Sequence, residues 1–213
     1  MSAGPGFYSM NTLKKISHDN MVSLPFPART VSNYPCFLFY QPSLTLYLKP
    51  VRMGLIYSFQ STGSRVSSSD YSGEYIFDVS VWSHAPGVII ELPVPANQNL
   101  ELNLYCKLGV FLSEIKMKET LAIAGNNSDL SLNLNSISDF FEPGLRLSYQ
   151  FNERMSLSLN IGYTKEFNRG NYYVEGSGNY IKPETNFSGS DFWDGIRTGI
   201  SFHYKVKRTI KSD

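Results

Sequence analysis

Met155-Ser156-Leu157-Ser158-Leu159-Asn160-Ile161-Gly162-Tyr163-Thr164 decides the class of this chain. Every odd position is apolar, and every even position is polar or glycine. Successive side chains of a strand point to opposite faces, so this stretch is a strand with one apolar and one polar face. A helix would gather its apolar residues three and four apart instead. The same alternation recurs in both directions along the chain. It runs through Leu145–Phe151, through Leu100–Leu112 on even positions, and through Ile196–Val206. Val51–Gln60 shows it again, and so does Leu44–Leu48, which extends back toward Phe37. Tyr75–Val81 opens a seventh stretch, changes phase after His84-Ala85-Pro86-Gly87, and resumes at Val88, Ile90 and Leu92. Pro and Gly at a change of phase predict a β-bulge there.

The connections alternate in length. Lys49-Pro50, Pro93–Asn99 and Asn152–Arg154 are tight. Residues 11–35, Ser61–Glu74, Lys118–Ser131 and Lys165–Asp191 read as long polar loops, rich in Ser, Asn and Gly. No helix of any length is expected, beyond one turn at Leu13–Ile16.

The polar face carries Arg52, Asp78, Glu91, Glu101, Asn103, Lys107, Arg146, Asn160, Asp194 and Arg197 among small residues such as Gly54, Ser58, Gly144, Ser158 and Gly199. Small residues beside charged ones suit the filled lumen of a narrow barrel. The apolar face is long-chained, with Tyr57, Phe59, Tyr75, Phe77, Tyr149, Phe151, Tyr163, Phe192 and Tyr204 near strand ends. Aromatic residues collect in that way at the two interfaces of a membrane. The expected fold is therefore all-β: an eight-stranded antiparallel up-and-down transmembrane β-barrel with short periplasmic turns and long extracellular loops. It would occupy residues 1–206 as one unit, with a basic tail over 207–213. Such barrels have even strand numbers, which assigns the eighth strand to about Gly4–Met10. A soluble lipocalin-like ligand-binding barrel shares the alternation and is the rival fold.

Composition narrows the classes. The 213 residues carry a net charge of +1, so electrostatics offers no case for nucleic acid. Charged residues are 17% of the chain, below the roughly 25% of soluble domains. A mean hydropathy of −0.20 is compatible with a barrel, whose alternating faces average out. No run reaches the ~18 apolar residues of a spanning helix. Met1–Pro5 lacks the basic and apolar regions of a signal peptide, so an exported protein would have shed its leader or would start upstream. Cys36 and Cys106 read as unpaired packing residues, and no Cys or His spacing suggests a metal or a cofactor.

Arg197-Thr198-Gly199-Ile200-Ser201-Phe202-His203-Tyr204 matches the final-strand assembly signal of bacterial outer-membrane barrels: polar, any, Gly, any, any, apolar, any, aromatic. The chain runs on past Tyr204, which is a departure from that pattern. Phe141–Tyr149, followed by Asn152-Glu153-Arg154 and Leu159–Tyr163, is also similar to strands of that group. Over residues 35–206 the chain resembles the small outer-membrane β-barrel domains of Bacteroidetes, related in architecture to the transmembrane barrel of outer-membrane protein A. The resemblance implies a Gram-negative outer-membrane location, outer-membrane lipid and the barrel-assembly machinery as partners, and Arg197, Gly199, Phe202 and Tyr204 as the assembly signal. It implies no catalytic residues.

The candidate sites follow from the strands. Arg52, Glu91 and Glu101 lie beside short turns and should share one ion pair, with Lys107 and Arg146 at mid-depth and Glu142 and Arg197 above them. Tyr172, Tyr173, Tyr180, Phe187 and Trp193 form a cluster near the last loop that could hold a protein or glycan, and packing over the barrel mouth is the favoured reading. His84 beside Ser83, and His203 beside Ser201, are the places where a lipid-modifying enzyme could work, and a lumen-filling or packing role is the simpler reading of both. The expected function is a non-enzymatic, monomeric cell-surface barrel that is structural or binds a partner through its loops. A narrow porin-like pore and a lipid-modifying enzyme are the alternatives.

Overall fold

The computed structural model describes residues 1–71, 73–95, 97–123, 126–168, 172–174, 180–181 and 192–206. The strands are β1 (Ser2–Tyr8), β2 (Arg29–Asn33), β3 (Phe37–Gln41), β4 (Ser43–Leu48), β5 (Val51–Asp70), β6 (Gly73–Pro95), β7 (Leu100–Ile123), β8 (Asn126–Gln150), β9 (Met155–Phe167), β10 (Tyr172–Val174), β11 (Tyr180–Ile181) and β12 (Gly195–Tyr204). One helix, α1, covers Asn11–Ser23. Eight strand positions close into an antiparallel barrel in the order β1, β3/β4, β5, β6, β7, β8, β9, β12 and back to β1. β3 and β4 form one wall strand interrupted at Pro42, which has no N–H to give.

The register fixes the shape. Direct partners lead from Arg52 through Glu91, Tyr105, Gly144, Gly162, Arg197, Gly6 and Phe37. The Tyr40–Phe59 pairing then brings the path back to β5 at Thr62, ten residues above its start. That stagger is about 33 Å around eight spacings of about 4.8 Å, so the strands tilt by about 40°. Closure at β1–β12 depends on Gly195. Its φ is +157°, and a Cβ there would lie 1.8 Å from the Phe7 carbonyl oxygen.

Several expectations from the sequence are corrected. The first strand starts at Ser2 and ends at Tyr8, because Met10 adopts a left-handed conformation ahead of α1. That helix was unexpected: Leu13 and Ile16 are its only clear apolar pair, and it has no side-chain cap. It is held by tertiary contacts instead. Ser61–Glu74 and Lys118–Ser131 are not loops but continuations of β5–β6 and β7–β8, paired residue by residue to Asp70–Gly73 and Ile123–Asn126.

The bulge at His84–Gly87 is absent. β6 keeps one register against β5 from Glu91 to Gly73 and against β7 from Pro95 to Gly73. Odd positions of β6 face inward throughout, and what reverses is the environment. Ile89 and Glu91 face a largely polar lumen, whereas Tyr75, Phe77, Val79 and Val81 face an apolar core higher up. Tyr75, Phe77 and Phe192 are accordingly buried, not part of an outer aromatic girdle. Asp78 points outward and pairs with Arg65. The upper sheet thus continues β5–β8 beyond the barrel, edged by β2 on one side and by β10 and β11 on the other. α1 lies on its inner face, where Met10 and Leu13 join the core and Tyr75 donates to Asn20 Oδ1 at 2.8 Å.

Candidate functional site

The outer surface of the barrel is a continuous apolar band. Along β7 the outward residues are Leu100, Leu102, Leu104, Cys106, Leu108, Val110 and Leu112; then they become Glu114, Lys116 and Lys118. Twelve residue steps of about 3.3 Å at a tilt of about 40° make this band about 30 Å high, the thickness of a bilayer's hydrocarbon. Neighbouring strands contribute Met53, Leu55, Val88, Ile90, Leu145, Leu147, Leu157, Leu159, Ile161 and Ile200, all exposed. Tyr149, Phe151 and Tyr204 mark the short-turn end, and Phe7, Tyr57, Phe59 and Tyr163 mark the other. At that upper edge Tyr57 and His84 are hydrogen-bonded, Phe59 lies against the His84 ring, and the Trp82 indole donates to Glu114 at 2.8 Å. Tyr57, Trp82 and His84 each have an apolar body and a polar edge, which suits a boundary between oil and water.

Inside, charges are arranged in tiers. Arg52 binds Glu101 through two bonds of 2.7 Å. Glu91 goes to Arg146 instead, so the expected three-way pairing of Arg52 with both carboxylates is corrected to two separate pairs. Each pair skips the strand between its members: Arg146 on β8 meets Glu91 on β6, and Arg52 on β5 passes its ladder neighbour Glu91 to bind Glu101 on β7. Above them Glu142 is the hub. Its carboxylate accepts from Lys107 at 2.6 Å, Arg197 at 2.9 Å and Thr164 at 3.0 Å, and Tyr105 lies at 3.4 Å. Arg197 also reaches Gln60, and the rings of Tyr8, Phe39 and Phe111 lie within 6 Å of its guanidinium carbon. Arg146, Glu91, Lys107, Glu142 and Arg197 are each at most 5% exposed, so the lumen is filled by side chains at this depth. A charge buried there without a partner would cost several kcal/mol.

Above the charges sits an aromatic layer, in which the sequence reading anticipates Trp193 near the mouth but not Phe111 or Phe140. Trp193 is fully buried, edge-on to Tyr8 at 4.9 Å, and its indole donates to Ser113 at 2.9 Å. Phe111 stacks on Phe140 at 4.6 Å. Glu166 holds this layer by accepting from the backbone N–H groups of Phe192 and Trp193. The signal for Glu166 was present, since it continues the inward phase of Ser158, Gly162 and Thr164. Nearer α1, Tyr34 meets Ser17, and burial pushes its phenol up to about 12.

The remaining candidates are dispersed. Tyr172 is buried against Phe192, so it closes the mouth, while Tyr173 is exposed. The backbone of Tyr180 pairs with Tyr173, and Phe187 and the 207–213 tail lie outside the described residues. Ser83 points inward and His84 outward, so they cannot act together. His203 and Ser201 share the inner face, but Ser201 donates to Asn160. In β12, Arg197 faces inward and Phe202 and Tyr204 face outward, while a Cβ on Gly199 would lie 2.8 Å from the Ala3 carbonyl oxygen. Among the described residues no group of His, Cys, Asp or Glu is placed to hold a metal ion, and no helix is long and apolar enough to cross a membrane. No protein-family model matches the chain, and a search of curated proteins finds no match.

Proposed function

We propose that this protein spans a bacterial outer membrane as a sealed β-barrel and carries its upper sheet into the medium as a structural or partner-binding surface. One observation carries the reading: along a strand of unbroken register, the inside–outside polarity inverts. Below Leu112 and His84 the outward face is apolar and the lumen charged; above them the outward face is polar and the inner face apolar. Water on both faces would favour one polarity along the whole strand. Hydrocarbon around the lower half and water around the upper half requires the inversion. The filled charge tiers and the aromatic layer favour a closed barrel over the narrow pore. Resemblance of β12 to the assembly signal supports the outer membrane and the assembly machinery as its route.

Fractionation of cells expressing the full-length protein tests location. Recovery with outer-membrane material is expected, and native protein free in the periplasm would overturn the proposal. In planar bilayers the purified barrel should give no stable single-channel currents, and such currents would restore the pore.

A further inference from the structure

The barrel wall steps down beside its closure strand. β5–β8 run on above the apolar band, whereas β1 stops at Tyr8 and β12 starts at Gly195. A cleft of about 530 Å³ opens there, and Phe7, Cys36, Tyr163, Lys165, Asp194 and Ile196 are among its lining residues. That volume falls within the roughly 300–1,000 Å³ of small-molecule sites. The lining has two chemistries. Phe7, Tyr163 and Ile196 are about half exposed and belong to the outer face of the band. Lys165 follows Tyr163 by two residues on the same face of β9, so it stands just above the band. A lysine at the end of an apolar span extends its ammonium toward the headgroups. The partner carboxylate of Asp194 is buried and also accepts from the Glu166 N–H at 2.6 Å. Half of the Lys165 side chain stays exposed, so the lysine is what this pair presents to its surroundings. Among the described residues no carboxylate other than Asp194 lines the cleft.

We propose that this cleft holds the anionic phosphate headgroup of a membrane lipid, with the phosphate on Lys165 and an acyl chain running down the band over Phe7 and Ile196. Charge decides the headgroup. A phosphate oxygen accepts a charge-assisted bond from an ammonium, and no second carboxylate in the cleft repels it. Position decides the source. The apolar half of the cleft is continuous with the band, and a free phosphate would leave Phe7 and Ile196 uncovered. The inference rests on the membrane reading and names one lipid class and one place on the barrel wall for it.

Cys36 is exposed in the same cleft, so its alkylation by a water-soluble maleimide reports occupancy. The full-length protein is placed in phosphatidylcholine vesicles with and without phosphatidylglycerol, and alkylation is followed at Cys36 and Cys106. Phosphatidylglycerol should slow Cys36 about tenfold, which corresponds to roughly nine-tenths occupancy. Lys165→Gln should remove most of this slowing, and Lys165→Arg should keep it. A protein with Cys36→Ser and Lys116→Cys carries a reference thiol above the band on the opposite wall, which reads the surface charge of the vesicle without the cleft. The proposal is overturned if Cys36 slows no more than this reference thiol, or if Lys165→Gln slows as fully as the native chain. It is also overturned if glycerol phosphate in solution, over pure phosphatidylcholine, protects Cys36 as well as the lipid does, which would assign the site to a free phosphate. Rapid labelling of Cys106 in both kinds of vesicle would instead overturn the membrane reading, and this inference with it.

Discussion

Glu142 is the residue whose replacement should cost the barrel most for the smallest change in shape. Glu142→Gln keeps the volume but removes the charge that serves both Lys107 and Arg197. Both cations are almost wholly inaccessible, so neither can recover its solvation without opening the wall. Breaking a buried pair by removing one partner costs about 3–5 kcal/mol, and here two cations lose the same partner, which argues for the upper half of that range. With a urea dependence of about 2 kcal/mol per molar, the unfolding midpoint should fall by about 2 M. Removing one orphaned cation as well should recover part of the loss. Arg197 keeps Gln60 and its ring contacts, so Lys107→Met is the natural second change. The assay is reversible urea unfolding in lipid vesicles, followed by tryptophan emission and by the gel mobility of the folded barrel. The reasoning is refuted if Glu142→Gln shifts the midpoint by less than about 0.5 M, or if the double variant loses the sum of the two single losses.

Other outcomes can be checked in the same preparation. In vesicles a water-soluble maleimide should modify exposed Cys36 and leave Cys106, mid-band on the outer face, unmodified until detergent is added; equal labelling would remove the band from the bilayer. Trp193→Ala should destabilise the protein by about 3–5 kcal/mol and expose the aromatic layer, seen as faster exchange over Phe192–Gly195; unchanged exchange there would count against a plug. Tyr34 holds its proton more tightly folded than unfolded, so its contribution is complete below its ordinary value of 10 and fades as pH rises towards 12. Alkaline loosening of α1 should therefore begin above pH 10, and Tyr34→Phe should blunt it; an unchanged alkaline transition in that variant assigns it elsewhere. Replacing Phe202 and Tyr204 together by Ser should leave unassembled protein in the periplasm, and a wild-type insertion yield would remove that role from β12.

The strands that form the barrel wall were legible because alternation needs no tertiary knowledge: Met155–Thr164 and Leu100–Leu112 each declare both faces. The charges of the lumen were legible for the same reason, as the polar half of that pattern. Their pairing was not. Which carboxylate Arg52 takes depends on side chains reaching from strands far apart in sequence, and Glu91 was claimed by Arg146 on β8. α1 was hidden because tertiary contacts, such as Tyr75 with Asn20 and Tyr34 with Ser17, sustain it more than its own propensity or caps do. Phe111 and Phe140 were hidden because they lie inside, where the alternation of their neighbours assigned only polar groups.

The two largest misreadings lie on either side of one boundary. Ser61–Glu74 looked like a loop because its outward and inward faces are both rich in Ser and Gly, and His84–Gly87 looked like a bulge because it was measured against a rule in which apolar means outward. On β6 the rule reverses between Val88 and Val81, yet the pairing with Leu112 and Phe59 continues without a shift. A bulge moves the backbone and leaves the solvent alone; here the backbone is unmoved, and on the proposed reading the surroundings change. That distinction gives the phase change a physical meaning. Arg65 and Asp78 can pair on the outside only where water reaches them, and Val79 and Val81 can be buried only where the lumen charges have ended. Moving the inversion should therefore move the membrane boundary. Changing Glu114 and Lys116 to Leu extends the band by two outward positions on β7, about 10 Å of added height at the strand tilt. In vesicles, a polarity-sensitive probe attached at a cysteine replacing Lys118 should then report a drier site, and an unchanged probe signal would detach the inversion from the bilayer edge.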